Sequence, residues 1–173
     1  MKKILGLLLL ILLGILSCGN NSGNAEKTGR EKNKEKKIAI NIQSDPKSID
    51  PQRAIEAAGI VVDTLLVEGF TRIDLEGKVA PAAAEKWEIS EDGLTWKFNL
   101  RKNAKWPNGD PVTAHDFVFG WLRALDPATA SVYAYELYYI VGAREYNEGK
   151  GKRDDVAIKA LDDYSLEFRI NKP

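Results

Sequence analysis

The sequence predicts an α+β (mixed α/β) fold, on three observations. Leu94 to Arg101 alternates apolar and polar residues, Thr113 opens an amphipathic stretch with a helix-start signature, and Tyr164 to Ile170 alternates again. Strands, then helices, then strands suggest an α+β or mixed α/β lobe.

Taken in order, Ile38-Ala39-Ile40-Asn41-Ile42 has the period of a strand with one buried face, although no matching partner lies nearby. Pro46 and Asp50-Pro51 interrupt regular structure, and Asp50-Pro51 reads as a turn rather than as a carrier of chemistry. A helix is predicted from about Ala57 to Glu68, with Ile60, Val61, Leu65 and Leu66 on one side. Phe70 to Asp74 and Lys78 to Ala80 flank Glu76-Gly77, which reads as a hairpin turn.

The strand Leu94 to Arg101 places every even residue on an apolar face, with Asp92-Gly93 as turn and Trp87-Glu88-Ile89 as partner strand. Another turn falls at Pro107 to Pro111. Thr113-Ala114-His115-Asp116 has the form of a capping box with Asp in place of Glu, followed by Phe117, Phe119, Trp121, Leu122 and Leu125. Asp126-Pro127 stops that helix. A second helix is expected from Ser131 to about Tyr146, and Val156 to Leu161 then pairs with Tyr164 to Ile170 across Asp162-Asp163.

Composition narrows the function. The chain has 173 residues and one cysteine, Cys18, so internal disulfides and thiolate metal sites are excluded. From Ile38 onward there are 17 Lys and Arg against 22 Asp and Glu, and no basic stripe interleaved with aromatics, which argues against a nucleic-acid partner. His115 is the sole histidine, and its place in a helix's first turn is explained by capping. No nucleophile–base pair, metal-ligand set or glycine-rich phosphate loop is present, so neither an enzyme nor a cofactor is expected. Trp87, Trp96, Trp106 and Trp121 read as core packing rather than as a ligand platform.

The amino terminus carries an address. Lys2-Lys3 precedes an apolar run from Ile4 to Leu16, which is shorter than a spanning helix and closes as Ser17-Cys18-Gly19. Ile15 to Cys18 resembles the lipobox of bacterial lipoproteins. That resemblance implies cleavage after residue 17, lipidation of Cys18 and tethering to the outer side of a membrane. Gly19 to Lys37 contains no large apolar residue and reads as a flexible tether.

Several later stretches, in order, resemble the oligopeptide-binding lipoproteins of peptide-importing ABC transporters, within the bacterial extracellular solute-binding proteins of family 5. They are Ser48-Ile49-Asp50-Pro51, Glu68-Gly69-Phe70, Ala84-Glu85-Lys86-Trp87-Glu88, Trp96 to Arg101, Asn108 to Val118, Asp126 to Ala134, and Val156 to Phe168. The resemblance implies a periplasmic-binding-protein-like fold of the type II class, monomeric, closing two lobes around an extended peptide and docking on permease subunits. Members are longer and carry three domains. The chain is then expected to hold the start of domain I (residues 38–67), the small domain II (68–170) and the beginning of a return to domain I (171–173), without measurable peptide affinity by itself.

The resemblance also implies the peptide-contacting positions, Glu56, Ala57, Ala58 and Tyr133. Each has a plainer reading beside it. Glu56 is also what the macrodipole favours at a helix start, and Tyr133 also fits a helix face covered by Tyr133, Tyr135, Tyr138 and Tyr139. An adhesin or interaction module on the same fold is the alternative from another class, and a dipeptide receptor the alternative within the family.

Overall fold

A computed structural model describes residues 37–173, so the signal segment, Cys18 and nearly all of the tether lie outside the described residues. The lobe is centred on a four-stranded antiparallel sheet. Strand β1 (Thr71–Ile73) and β2 (Val79–Pro81) form a separate hairpin, while β3 (Ala84–Ile89), β4 (Thr95–Leu100), β5 (Ile158–Asp162) and β6 (Ser165–Arg169) lie in the order β3-β4-β6-β5. Among the described residues three α-helices accompany them: α1 (Ala57–Leu66), α2 (Ala114–Leu125) and the short α3 (Ala143–Asn147). None of the described helices is long and apolar enough to cross a membrane.

The alternation in Leu94 to Arg101 acts as expected. Phe98 and Leu100 are buried and Trp96 packs against them, while Lys97 faces the other way. On that outer face the register sets Glu88 opposite Lys97, Lys97 opposite Glu167 and Glu167 opposite Lys159. Charge alternates across all four strands, the arrangement that stabilises cross-strand neighbours, and Lys159 reaches Glu167 at 3.2 Å. Both predicted hairpin turns form. Gly77 and Gly93 adopt φ of +78° and +71°, which a side chain would strain.

The inner face carries an aromatic stack. Phe70 lies 4.3 Å from Phe117 and 4.9 Å from Phe98, and Trp121 meets Phe168 at 5.2 Å, with Leu125 and Leu166 sealed beneath. Helix α2 begins where Thr113 predicts. The Asp116 carboxylate accepts from the Thr113 backbone N–H at 2.7 Å and its hydroxyl at 3.0 Å, while the Ala114 N–H donates to the Asp163 carbonyl.

Three expectations need correction. Residues 38–42 form no strand, because no described strand offers them a ladder, and Ile40 is half exposed. The helix expected from Ser131 to Tyr146 is broken into a 3₁₀ turn (Ala134–Leu137) and α3. Between them Ile140 bridges Ile170, and the Val141 N–H donates to the Arg169 carbonyl, so this backbone pairs with the end of β6. Gly142 then turns the chain at φ +79°. Finally, Trp106 stays out of the core: it is half exposed at the 105–111 turn, and its indole N–H lies 3.4 Å from Asp116 Oδ2. Trp87, Trp96 and Trp121 pack against the core as read.

Candidate functional site

The candidate contact residues come from two segments, the entry into α1 and the stretch after α2. Asp50-Pro51 makes the predicted turn, its Asp50 carbonyl accepting from the N–H groups of Arg53 and Ala54. Ala54 is buried, which roots the turn. Glu56 then stands at the N-cap of α1 in extended conformation, but its carboxylate does not cap the helix. It reaches back to accept the Lys47 backbone N–H, and that bond holds Glu56 below the usual carboxylate range. Ala57 is exposed, whereas Ala58 is buried together with Gly59. A Cβ at Gly59 would stand 2.7 Å from the Ser48 carbonyl, so α1 packs against residue 48 closely enough to require glycine.

Tyr133 precedes the 3₁₀ turn and is 44% exposed, with its ring 6.3 Å from that of Tyr135. The four tyrosines do not share one helix face. Tyr135 and Tyr139 are exposed, but Tyr138 packs against the core and donates its hydroxyl to Asn147 Oδ1 at 2.6 Å. The adjacent Glu136 carboxylate raises the Tyr135 phenol above its usual range.

Sequence reasoning missed the element that ties these segments down. Arg123, in the last turn of α2, grips Asp50 with both ends of its guanidinium, Nη1 to Oδ1 at 2.9 Å and Nη2 to Oδ2 at 2.6 Å. Nη1 also donates to Gln52 Oε1, and Gln52 Nε2 donates to the Gly120 carbonyl at 2.6 Å. The Arg123 hydrogen bonds hold the Asp50 carboxyl below its ordinary value. Asp63 on α1 shifts the other way. Desolvation raises it first, and the negative charges of Asp50 and Glu56 add to that. Seventy-three positions separate Asp50 from Arg123, and no periodicity marks such a pair.

His115, the sole histidine, faces Asp163 at 3.6 Å on the surface, and no group of three or more metal-ligating side chains gathers among the described residues. An open depression of about 490 Å³ lies across the start of β3, the end of β4 and the β5–β6 turn. Its lining mixes Lys86 and Lys102 with Glu85, Asp162 and Asp163, and it includes none of the four candidate residues.

Residues 78–173 match the family described as bacterial extracellular solute-binding proteins, family 5 Middle. An oligopeptide-binding protein OppA of Bacillus subtilis is 42% identical over 100% of this chain and 32% of its own length. A dipeptide-binding protein DppE of the same organism is 38% identical over 98% of this chain and 32% of its own length. The crystal structure of Haemophilus influenzae OppA in complex with the peptide RPPGFSPFR superposes with a TM-score of 0.72 and 42% identity, covering 77% of this chain and 26% of that one. The chain thus spans about a third of the length of these curated relatives, 32% in each case. It belongs to the bacterial extracellular solute-binding proteins of family 5, and its mixed α/β lobe is part of a periplasmic-binding-protein fold.

Proposed function

We propose that this chain is part of a receptor that captures oligopeptides outside the cytoplasm and delivers them to an ABC importer. The observation that carries the reading is the 42% identity, along the whole chain, to a relative named for oligopeptide binding. Residues 38–67 then begin one lobe and residues 68–170 form the small second lobe. Glu56, Ala57 and Ala58 line one edge of a cleft, and Tyr133 supplies a flat apolar face with a hydroxyl tip beside it, suited to side chains of varied kind. The peptide is held mainly through its own backbone, with water filling imperfect side-chain fits. Closure of the lobes around it is stabilised by contacts made only in the closed state. The receptor works as a monomer, carries no catalysis and presents its closed form to permease subunits.

Cys18 anchors the receptor by its lipid to the outer side of a membrane, and the polar stretch that follows gives the lobe reach. A dipeptide preference is the second reading, favoured by the 38% identity to a dipeptide-binding relative.

The test is isothermal titration of the protein encoded by the complete reading frame against peptides of graded length. Saturable binding that strengthens beyond dipeptides supports the oligopeptide reading, and tightest binding of dipeptides supports the second. A folded protein that binds none of them sinks both. The 173-residue chain titrated alone is expected to show no measurable affinity. Labelled palmitate entering the wild type but not Cys18→Ser checks the anchor.

A further inference from the structure

Both segments that carry candidate contacts hang on the same turn of one helix. Upstream, Arg123 holds Asp50 and Gln52, and through the Asp50 turn it sets the chain that leads by buried Ala54 to Glu56, Ala57 and Ala58. Downstream, the Leu125 carbonyl accepts from Asn147 Nδ2 at 2.8 Å, and Asn147 in turn receives the Tyr138 hydroxyl, which fastens the 3₁₀ turn that Tyr133 precedes. Asp126 continues the helix end, accepting the Ala128 N–H at 2.9 Å to shape the run into residues 130–133. Leu122 and Leu125 are buried, so this turn is rooted in the core.

We propose that Arg123 is the positioning residue of the peptide clamp, holding residues 48–58 in fixed register against the helix end from which Tyr133 departs. The proposal rests on the peptide-binding reading above and adds a residue to it. Global stability does not account for the pair. The side chains of Arg123 and Asp50 keep 37% and 28% of their exposure, a setting in which ion pairs contribute little to stability. Geometry accounts for it better. The fork meets both Asp50 oxygens and the Gln52 carbonyl oxygen at once, and Gln52 closes the loop back to Gly120, one turn earlier on the same helix. Two carboxylate oxygens taken by the two ends of one side chain suit a guanidinium fork and not an ammonium. With residues 50–52 fixed at both ends, Glu56 is free to turn back on Lys47, and α1 starts where Gly59 meets Ser48.

The experiment uses the 173-residue chain carrying Cys18→Ser, Ala57→Cys and Val132→Cys, both introduced thiols being at exposed sites. Spin labels on those thiols report the distance between the two segments by pulsed electron resonance. A single narrow distribution is expected, to be lost in Arg123→Gln and partly kept in Arg123→Lys, with the thermal midpoint of the lobe unchanged. Should Arg123→Gln fail to fold, Asp50→Asn removes the same pair by its other partner. An unchanged narrow distribution in a folded variant overturns the proposal, as does loss of distance order only in step with a lowered midpoint.

In the protein encoded by the complete reading frame, Arg123→Gln is expected to weaken peptide binding by about tenfold, with Arg123→Lys intermediate. If the wild type binds no peptide, the functional reading fails while the distance measurement still decides whether Arg123 sets the register. If the wild type binds and Arg123→Gln binds equally well, only the positioning role fails.

Discussion

The apolar side chains of the sheet lobe and those of the segment before it have opposite fates. From Phe70 to Ile170 nearly every large apolar residue on an inward parity finds neighbours: Phe70 stacks between Phe98 and Phe117, and Leu125 and Leu166 lose all exposure. Helix α1 is apolar along most of its length, yet Ile60, Val61, Leu65 and Leu66 remain 42–71% exposed. An amphipathic pattern states that a helix has a face to bury, and it does not state against what. The lobe supplies its own partner surfaces within the chain. The apolar face of α1 has none among the described residues, and only Ala58 and Gly59, on the side toward residue 48, are covered.

This contrast is broken most directly in the core. Leu166→Ala removes a fully buried side chain from the central strand β6 and should cost about 3 kcal/mol, read as a lowered midpoint in thermal or urea denaturation. A cost below about 1 kcal/mol would mean that the lobe is not packed as described.

Gly142→Ala comes next. The residue sits at φ +79°, and a Cβ there would overlap the Asp155 carbonyl, so the backbone between the 3₁₀ turn and α3 must shift. About 2 kcal/mol is the expected loss. Hydrogen exchange should place the damage at residues 138–158 and leave the β3–β4 pair protected. An equal loss at β3–β4 would show that the lobe opens as one unit.

Smaller still is the effect of acid on the link between the two regions. Asp50 has a folded-state value depressed below its ordinary 3.8, so the small contribution of the pair with Arg123 is present above that value and is lost as pH falls through the depressed one. The charged groups facing it are Arg123 from α2, Arg53 from its own turn and Asp63 from α1, whose own shift is upward. Amide chemical shifts of Gln52 and Arg53 should therefore titrate below an ordinary aspartate, and Arg123→Gln should bring the midpoint back up. A midpoint already at the ordinary value in the wild type would mean that the pair does not persist in solution.

How far the sequence carried depended on the range of the interaction. The β3–β4 hairpin was legible because its alternation and its Asp92-Gly93 turn are local, and so was the α2 start at Thr113 with Asp116. The helix drawn through Ser131 to Tyr146 was not, since the bridge of Ile140 to Ile170 is tertiary and overrides local preference. Tyr138 shows the same limit, being one of four similar tyrosines in sequence and the one drawn into the core by Asn147. Nothing local in the sequence singled out Arg123. Its three acceptors lie some seventy residues away in a segment whose own legible feature was a turn.

The smallest effect is the sharpest test of the contrast. Leu65→Ala in α1 deletes as much apolar surface as Leu166→Ala, yet it should change the stability of the 173-residue chain by no more than about 0.5 kcal/mol, because Leu65 is 55% exposed and leaves no cavity. In the protein encoded by the complete reading frame the same substitution becomes informative in the other direction. If a further part of a two-lobed receptor covers the apolar side of α1, the cost should rise to about 2 kcal/mol, that of burying a leucine. Urea denaturation of both forms supplies the comparison. A neutral result in both would leave the α1 face uncovered in the working protein and would remove the first lobe from the proposed clamp.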